Sequence, residues 1–206
     1  GSVLNGFMQD LTDFIHTRIP GAEVSFAGPA VNWGGWDLYG LAQSCDYIFI
    51  MGYAFYGSWS TTSGPSAPLT GGSYHITNTV LVQYATVTRD FPERLILGVP
   101  YYGNRWQTED EEPRSTRVDY IGSVRYHTAM TETISYPLRW EQSSQTPWYW
   151  YQTGSDYYQV WFDTDTSLGL KYQLAQDNNL RGVGMWALGY DGNRSELWDE
   201  LRRRFA

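Results

Sequence analysis

The chain of 206 residues carries a formal net charge of −8 at pH 7, and 17% of its residues are aromatic. The negative charge disfavours nucleic acid as a partner, because binding to a polyanion needs clustered lysine and arginine. No apolar stretch reaches the roughly 18 residues that cross a bilayer, so the sequence predicts no membrane-spanning segment. The single cysteine, Cys45, excludes an internal disulfide, and its apolar and small neighbours predict a buried thiol.

The N-terminal part of the chain predicts a helix, a strand and a second helix. Residues 4–19 carry apolar side chains spaced by three and four, as an amphipathic helix requires, and Pro20 ends this pattern. A short strand is predicted at 24–31, followed by a turn-rich segment at 32–35. Residues 38–45 predict a short helix.

Three nearly continuous apolar runs predict strands that are covered on both faces, as in a parallel sheet. They are 47–53 (YIFIMGY), 95–99 (LILGV) and 182–188 (GVGMWAL). Helical spacing at 76–88 and 167–179 separates these strands, and a last helix is predicted at 195–205. Together with the strand at 24–31, these elements predict an α/β fold with four parallel strands and crossover helices.

Residues 104–160 interrupt this alternation of strands and helices. The segment combines an acidic loop at 109–112, short β-like runs and the aromatic clusters 148–151 and 157–162. A long polar loop at 57–72 also follows the second strand. The interruption predicts a small, largely antiparallel insertion into the α/β fold.

Three segments, in this order and spacing, resemble the family-18 glycoside hydrolases, which are chitinase-like enzymes. They are 46–53 (DYIFIMGY), 97–106 (LGVPYYGNRW) and 180–192 (LRGVGMWALGYDG), and they resemble the sixth, seventh and eighth strands of that family's TIM (β/α)8 barrel. The resemblance implies the C-terminal half of the barrel, from the fifth to the eighth strand. It further implies a division into 1–106 with the fifth to seventh strands, 107–160 as a small α+β insertion subdomain, and 161–206 with the eighth strand and a C-terminal helix.

The resemblance also implies a set of substrate-binding residues: Met51, Tyr53, Tyr102, Arg105 and Trp186. By this resemblance Tyr53 hydrogen-bonds an N-acetyl group, Trp186 forms the floor beneath a sugar ring and Met51 is a wall of the subsite. Active sites of barrels lie at the C-terminal ends of strands, where Tyr53 and Trp186 fall. The alternative for Met51, Tyr53 and Trp186 is plain core packing.

The sequence departs from the family pattern at two positions. Ala54 stands where an aspartate is expected, and Asn104 stands where an arginine is common, with Arg105 one place further along. The first change removes a carboxylate near the N-acetyl site. These departures imply either an altered specificity or a loss of activity in the parent protein.

The catalytic acid of the resembling family is a glutamate at the end of an Asp-x-x-Asp-x-Asp-x-Glu run on the fourth strand. Residues 1–206 contain no such run, so no catalytic residue is assigned and the glutamate is expected upstream of Gly1. The substrate's own N-acetyl oxygen serves as the nucleophile, which departs from the usual pair of carboxylates. Because general acid catalysis is worth about two to four orders of magnitude, the chain alone is expected to be inactive.

Two classes of function therefore stay open. The first is an enzyme whose parent protein hydrolyses β-1,4-linked N-acetylglucosamine polymers with retention, by substrate-assisted catalysis. The second is a non-catalytic, lectin-like protein on the same barrel, for which Ala54 is the best argument. Family resemblance favours a secreted or cell-envelope location for the parent protein.

The predicted partners are an N-acetylglucosamine oligosaccharide or polysaccharide and the missing N-terminal half of the barrel. Four strands alone leave two sheet edges and an apolar inner face open, so a homodimer is an alternative way to cover them. No cofactor is predicted, since the three histidines are scattered and support no metal site. Asp163 and Asp165 imitate the start of a calcium loop, but Leu168 replaces the needed glycine and a solvated or capping turn is expected.

Overall fold

The computed structural model describes all 206 residues, which form two sheets with flanking helices. In chain order the elements are α1 (Ser2–Arg18), β1 (Ser25–Pro29), α2 (Leu38–Ser44), β2 (Tyr47–Met51), α3 (Ile76–Asn78), α4 (Ala85–Asp90), β3 (Leu95–Pro100), β4 (Tyr102–Thr108), β5 (Arg117–Arg125), α5 (Tyr126–Glu132), β6 (Arg139–Glu141), β7 (Thr146–Thr153), β8 (Asp156–Trp161), α6 (Asp165–Asp177), β9 (Gly182–Trp186) and α7 (Glu196–Phe205). A π-helical turn, Thr79–Gln83, joins α3 and α4. No helix is both long enough and apolar enough to cross a bilayer.

The first sheet is parallel and contains the three strands that the apolar runs predicted together with the strand predicted at 24–31. Its order is β1-β2-β3-β9, so each new strand is added beside the previous one and β1 and β9 are the two edges. Helices α2, α3, α4 and α6 connect or flank the strands, as the predicted alternation requires. The sheet is open, because β1 and β9 do not pair with each other.

The two faces of this sheet differ in burial. Along β2, Ile48 and Ile50 are fully buried in the core, whereas Tyr47, Phe49 and Met51 on the opposite face stay half-exposed. Successive side chains of a strand point to opposite faces, so helices cover one face and the other is left open. The expectation of a strand covered on both faces is therefore wrong for β2, whereas β3 is buried at every position except Ile96.

Strand β9 shows the same departure more strongly. It ends at Trp186, two positions short of the predicted 182–188, and all its residues are half-exposed or exposed. An edge strand has a neighbour on one side only, so its side chains lose packing partners that a central strand has. The prediction of a fourth fully buried strand is corrected to an edge strand.

The second sheet is antiparallel, with the order β5-β4-β8-β7-β6. Its core is a cluster of the buried tryptophans Trp106, Trp148 and Trp161, in which the last two rings stack with centroids 5.1 Å apart. Large flat rings let a small sheet bury much apolar surface with few residues. Part of the high aromatic content therefore builds a core.

The antiparallel sheet is attached at the carboxyl ends of the parallel strands. Strand β4 begins at Tyr102, directly after β3 ends at Pro100, and before the expected start of the insertion at residue 107. The polar loop at 57–72 is hydrogen-bonded to the antiparallel sheet, since the buried Ser63 hydroxyl donates to the Gln159 side chain on β8 at 2.7 Å. The insertion is thus held against the ends of the parallel strands.

The turn at Asp163 is buried, which corrects the alternative of a solvated turn. The Asp163 carboxylate pairs with the ammonium of Lys171, and both side chains are almost fully buried. Thr164 and Ser167 form a capping box at the start of α6, so the capping alternative is confirmed. No cluster of histidine, cysteine or acidic side chains is placed to hold a metal ion.

The buried pair makes a prediction about stability. Lys171→Met leaves the Asp163 carboxylate buried without its partner, and we expect a loss of about 3–5 kcal/mol in the free energy of unfolding, measured by urea denaturation. The double variant with Asp163→Leu removes both charges and should regain much of that loss. As a control, Arg202→Ala breaks an exposed pair with Asp199 and should cost at most about 1 kcal/mol. An unchanged midpoint for Lys171→Met would contradict this role.

Candidate functional site

Three of the predicted site residues line one cleft, which runs along the open face of the parallel sheet, and they lie at its carboxyl end. Met51 ends β2, Trp186 ends β9, and Tyr53 follows β2 by two residues. The cleft has a volume of about 370 Å³ and its walls are Ser25, Ala27, Tyr47, Phe49, Met51, Tyr53, Met185 and Trp186. The carboxyl ends of neighbouring parallel strands meet at one edge, which is where open α/β sheets bind ligands.

Trp186 presents an exposed ring to this cleft. The backbone fixes its position, because its carbonyl accepts a hydrogen bond from the Tyr101 amide at 2.8 Å and it lies opposite Pro100 in the ladder. The residue is 56% exposed, so it is not a core tryptophan. The peptide bond that follows it is cis. A flat ring held in place with its surface free is suited to stacking on the apolar face of a sugar.

Phe49 shapes the inner part of the same cleft. Its ring lies over Gly98 of the neighbouring strand β3 and Gly184 of β9, the next strand beyond, and a Cβ atom at either glycine would collide with it. The glycines therefore let the ring lie flat against the sheet. This packing leaves room above the sheet for the cleft between Met51 and Trp186.

Tyr53 and Tyr102 form the polar side of the cleft's rim. Their rings meet edge to face with centroids 6.1 Å apart, which brings Tyr102 next to the cleft although it does not line it. Burial raises the pKa of Tyr53, and it raises the pKa of Tyr102 to about 12. Both hydroxyls therefore stay protonated at neutral pH and remain available as hydrogen-bond donors.

Arg105 lies away from the other predicted residues. It stands on β4 and lines a separate polar cavity of about 390 Å³ with residues such as Arg125 and His127. Its guanidinium pairs with the Glu132 carboxylate. Burial by itself would lower the pKa of Arg105, but the hydrogen bonds to Glu132 outweigh it and raise that pKa. The structure thus gives Arg105 a partner within the protein.

The two departures from the family pattern have different environments. Asn104 is buried, and its side chain donates to the Tyr56 carbonyl at 3.0 Å and accepts from the Tyr120 hydroxyl at 2.9 Å. Ala54 is exposed and its φ of 60° lies in the left-handed region, while its amide donates to the Ser66 hydroxyl at 3.1 Å. Asn104 is therefore a structural residue, whereas Ala54 is a strained residue beside the cleft.

A second cleft, which the sequence did not predict, lies on the other side of Met51 and Tyr53. It has a volume of about 230 Å³ and is lined by Pro29, Ala30, Val31, Trp33, Met51, Tyr53, Ala54, Phe55 and Tyr74. The sequence predicts only a turn at Trp33, since a single tryptophan among glycines has no periodicity. The available signal was its type, because a tryptophan in a polar turn has no core to fill.

Comparison with known proteins assigns the chain to a family. The family model "Glycosyl hydrolases family 18" matches residues 5–191, and the chain therefore belongs to that family. Over 97% of its length the chain is 29% identical to the di-N-acetylchitobiase of Homo sapiens, of which it spans 58%. The chain thus covers less than two thirds of this relative.

Solved structures show the same fold. A GH18 chitinase from Cycas revoluta, in complex with (GlcNAc)3, has a TM-score of 0.87 at 18% identity, covering 98% of this chain and 63% of that protein. A chitinase-like agglutinin from Robinia pseudoacacia has a TM-score of 0.81 at 19% identity, covering 98% of this chain and 62% of that protein. At these identities the likeness concerns the fold.

The conformation of Ala54 yields a test of strain at the site. A left-handed conformation costs an L-residue roughly 1–2 kcal/mol, and glycine adopts it freely. We expect Ala54→Gly to raise the free energy of unfolding by about 1 kcal/mol, measured by denaturant titration. The control, Ala129→Gly within helix α5, removes one buried methyl group from a right-handed helical position and should lower stability. A loss of stability in Ala54→Gly would show that the backbone there is not strained.

Proposed function

We propose that the chain is the C-terminal half of a (β/α)8 barrel, with an α+β insertion at 107–160 between barrel segments 1–106 and 161–206. Four parallel strands in sequential order, each followed by helical or inserted chain, support this arrangement. The open face carries the half-exposed Tyr47, Phe49 and Met51, which suit an interior that further strands cover. The remaining half of the barrel is the proposed cover, and a second copy of the chain is the alternative.

The proposed parent protein hydrolyses β-1,4-linked N-acetylglucosamine polymers with retention, through the substrate's own N-acetyl oxygen. The observation that carries the proposal is that Met51, Tyr53 and Trp186 meet at the carboxyl end of the cleft on the open face of the sheet. The exposed indole stacks under a sugar ring, and the protonated Tyr53 hydroxyl donates to the N-acetyl group. Di-N-acetylchitobiase and the chitinase of Cycas revoluta, named above, support the substrate class.

The proton donor of this reaction comes from outside the 206 residues. None of the eight side chains that line the cleft is a carboxylate. Two acids of the chain are engaged elsewhere: the buried Asp163 pairs with Lys171, and the half-buried Glu141 pairs with Arg114. Burial favours a raised pKa for Glu141, but the Arg114 guanidinium outweighs it and the pKa is lowered. An ionised, paired carboxylate cannot protonate a leaving group.

A non-catalytic sugar-binding protein is the second candidate. Ala54 favours it, because this position faces the second cleft and lacks the carboxylate of the family pattern. Binding by ring stacking needs no proton donor, so the aromatic cleft serves both functions equally well. A parent-length protein that binds N-acetylglucosamine oligomers and does not cleave them would decide for this candidate.

The absence of an acid in the cleft makes a prediction about activity. We expect the 206-residue chain to release no product from N-acetylglucosamine oligomers, measured by chromatography of the reaction mixture. The physical reason is that the sugar oxygen is a poor leaving group without a positioned proton donor. Turnover on the order of 1 per second would contradict the proposal and direct attention to Glu109, Glu141 or Asp163.

Sugar binding is predicted to depend on Trp186. Because its ring is exposed, Trp186→Ala should keep the fold while weakening the binding of N-acetylglucosamine oligomers by about tenfold, measured by calorimetry. Trp140→Ala is the matched control, since Trp140 is 38% exposed on β6 and lines neither cleft. If Trp186→Ala is folded and its affinity for oligomers equals that of the unsubstituted 206-residue chain, stacking at this ring is refuted.

A further inference from the structure

A basic cavity lies at the edge of the antiparallel sheet, although the chain as a whole carries a net charge of −8. Its volume is about 390 Å³, and none of the eight residues that line it is an acid. The polar groups in its walls are the side chains of Arg105, Ser123, Arg125, His127 and Thr128. Two guanidinium groups without a neighbouring carboxylate in the walls suit a negatively charged ligand.

Arg125 carries the charge in this cavity that no acid of the chain neutralises. The residue is exposed, and neither Arg125 nor His127 forms an ion pair. The central guanidinium carbon of Arg125 lies 5.1 Å from the centre of the Tyr190 ring. A guanidinium that lies over a ring keeps the N–H donors at its edge free for a ligand.

Arg105 adds hydrogen-bond donors without adding net charge. Its Nη2 atom donates to both oxygens of Glu132, which does not line the cavity. Gly122 lies directly opposite Arg105 in the β4–β5 ladder, and a Cβ atom at Gly122 would meet no other atom within 4 Å. Because opposite residues place their side chains on the same face, the glycine leaves this space open beside Arg105.

The ladder between β4 and β5 also places Arg125 beside the rim of the cleft that Trp186 lines. Arg125 lies directly opposite Tyr102, and the Cβ atoms of such a pair are about 5 Å apart. The Tyr102 ring in turn meets the Tyr53 ring edge to face. The basic cavity and the cleft are therefore neighbours across the two tyrosines.

The turn that follows Trp186 makes a second connection between them. The Tyr190 amide donates to the Ala187 carbonyl, and the His127 amide donates to the Tyr190 carbonyl, each at 3.1 Å. His127 lines the basic cavity, whereas Trp186 lines the cleft. One short turn of chain, residues 187–190, thus joins the two.

We propose that the basic cavity binds an anionic group, a carboxylate or a sulfate, of a glycan that has another ring on Trp186. This inference rests on the proposed function and adds a preference for acidic over neutral glycans. Arg125 makes the ionic contact, because its planar guanidinium can donate two parallel hydrogen bonds to the oxygens of such a group. The hydroxyls of Ser123 and Thr128 provide further hydrogen bonds.

The test compares tetrasaccharides that differ in charge. The tetramer of β-1,4-linked N-acetylglucosamine is titrated by calorimetry into the 206-residue chain. So are derivatives with a lactyl ether on alternate rings, with its uncharged amide, or with a sulfate ester on alternate rings. We expect the lactyl ether or the sulfate to bind about three- to tenfold more tightly than the tetramer and the amide, and the tighter of the two identifies the group. Added salt should reduce this gain, because it screens exposed charges.

Substitutions identify the residue responsible. Arg125→Ala should abolish the gain, and Arg125→Lys should keep part of it, because the ammonium retains the charge and lacks the planar fork. Arg139→Ala is the matched control: Arg139 is also exposed, also lies over aromatic rings and forms no ion pair, but it stands on β6 at the opposite edge of the sheet. It should leave the gain unchanged. Thermal melts confirm that each variant is folded.

The outcomes separate this site from the proposed function. If the neutral tetramer binds and neither charged ligand gains affinity, or if the gain persists in Arg125→Ala, the anionic site is refuted and the proposed function stands. An equal gain for the uncharged amide also refutes the site. If Trp186→Ala leaves an Arg125-dependent affinity unchanged, the anionic site stands and stacking on Trp186 is refuted. A chain that binds none of the four ligands overturns both proposals.

Discussion

Parallel pairing of four strands is the constraint on which the rest of this structure depends. It brings the carboxyl ends of β1, β2, β3 and β9 to one edge, so residues far apart in sequence become neighbours there. Met51 and Trp186 line one cleft for this reason alone. The strands stay in register because helices pack on Ile48, Ile50 and their counterparts, while the opposite face is shaped by Phe49 over two glycines.

The tryptophans of the chain include a buried group and an exposed group. Trp106, Trp148 and Trp161 are buried and build the core of the antiparallel sheet, whereas Trp33 and Trp186 are exposed at the edge of the parallel sheet. Composition cannot separate these two groups, because the same apolar surface serves burial and ligand stacking. Folding buries the ring surfaces of the first group, whereas the rings of the second group keep exposed surface that a ligand can contact.

Charge is distributed in a way that keeps the clefts neutral despite the net charge of −8. The buried or half-buried acids near the insertion are paired, Glu132 with Arg105 and Glu141 with Arg114. Burial of an unpaired carboxylate is costly. The fold therefore needs these ion pairs, whether or not they also belong to a binding site. The edge of the parallel sheet is left with aromatic rings, Met51 and tyrosine hydroxyls, which suit a neutral, polyhydroxylated ligand.

The strands and helices could be predicted from the sequence because apolar runs and helical spacing are local signals, and residues 46–53, 97–106 and 180–192 also carried the family resemblance. The burial of each element could not be predicted from the sequence, since it depends on which faces other elements cover. Strand β9 is a half-exposed edge strand, and the turn at Asp163 is buried. The resemblance grouped Arg105 with Tyr53 and Trp186, yet the pleat and the ion pair with Glu132 direct it to another cavity. Trp33 shows the converse case, because an isolated ring in a turn has no periodicity, and only the tertiary structure places it beside Tyr74 across the wall formed by Met51 and Tyr53. Local pattern determined the elements, and long-range packing decided which side chains remained free to bind.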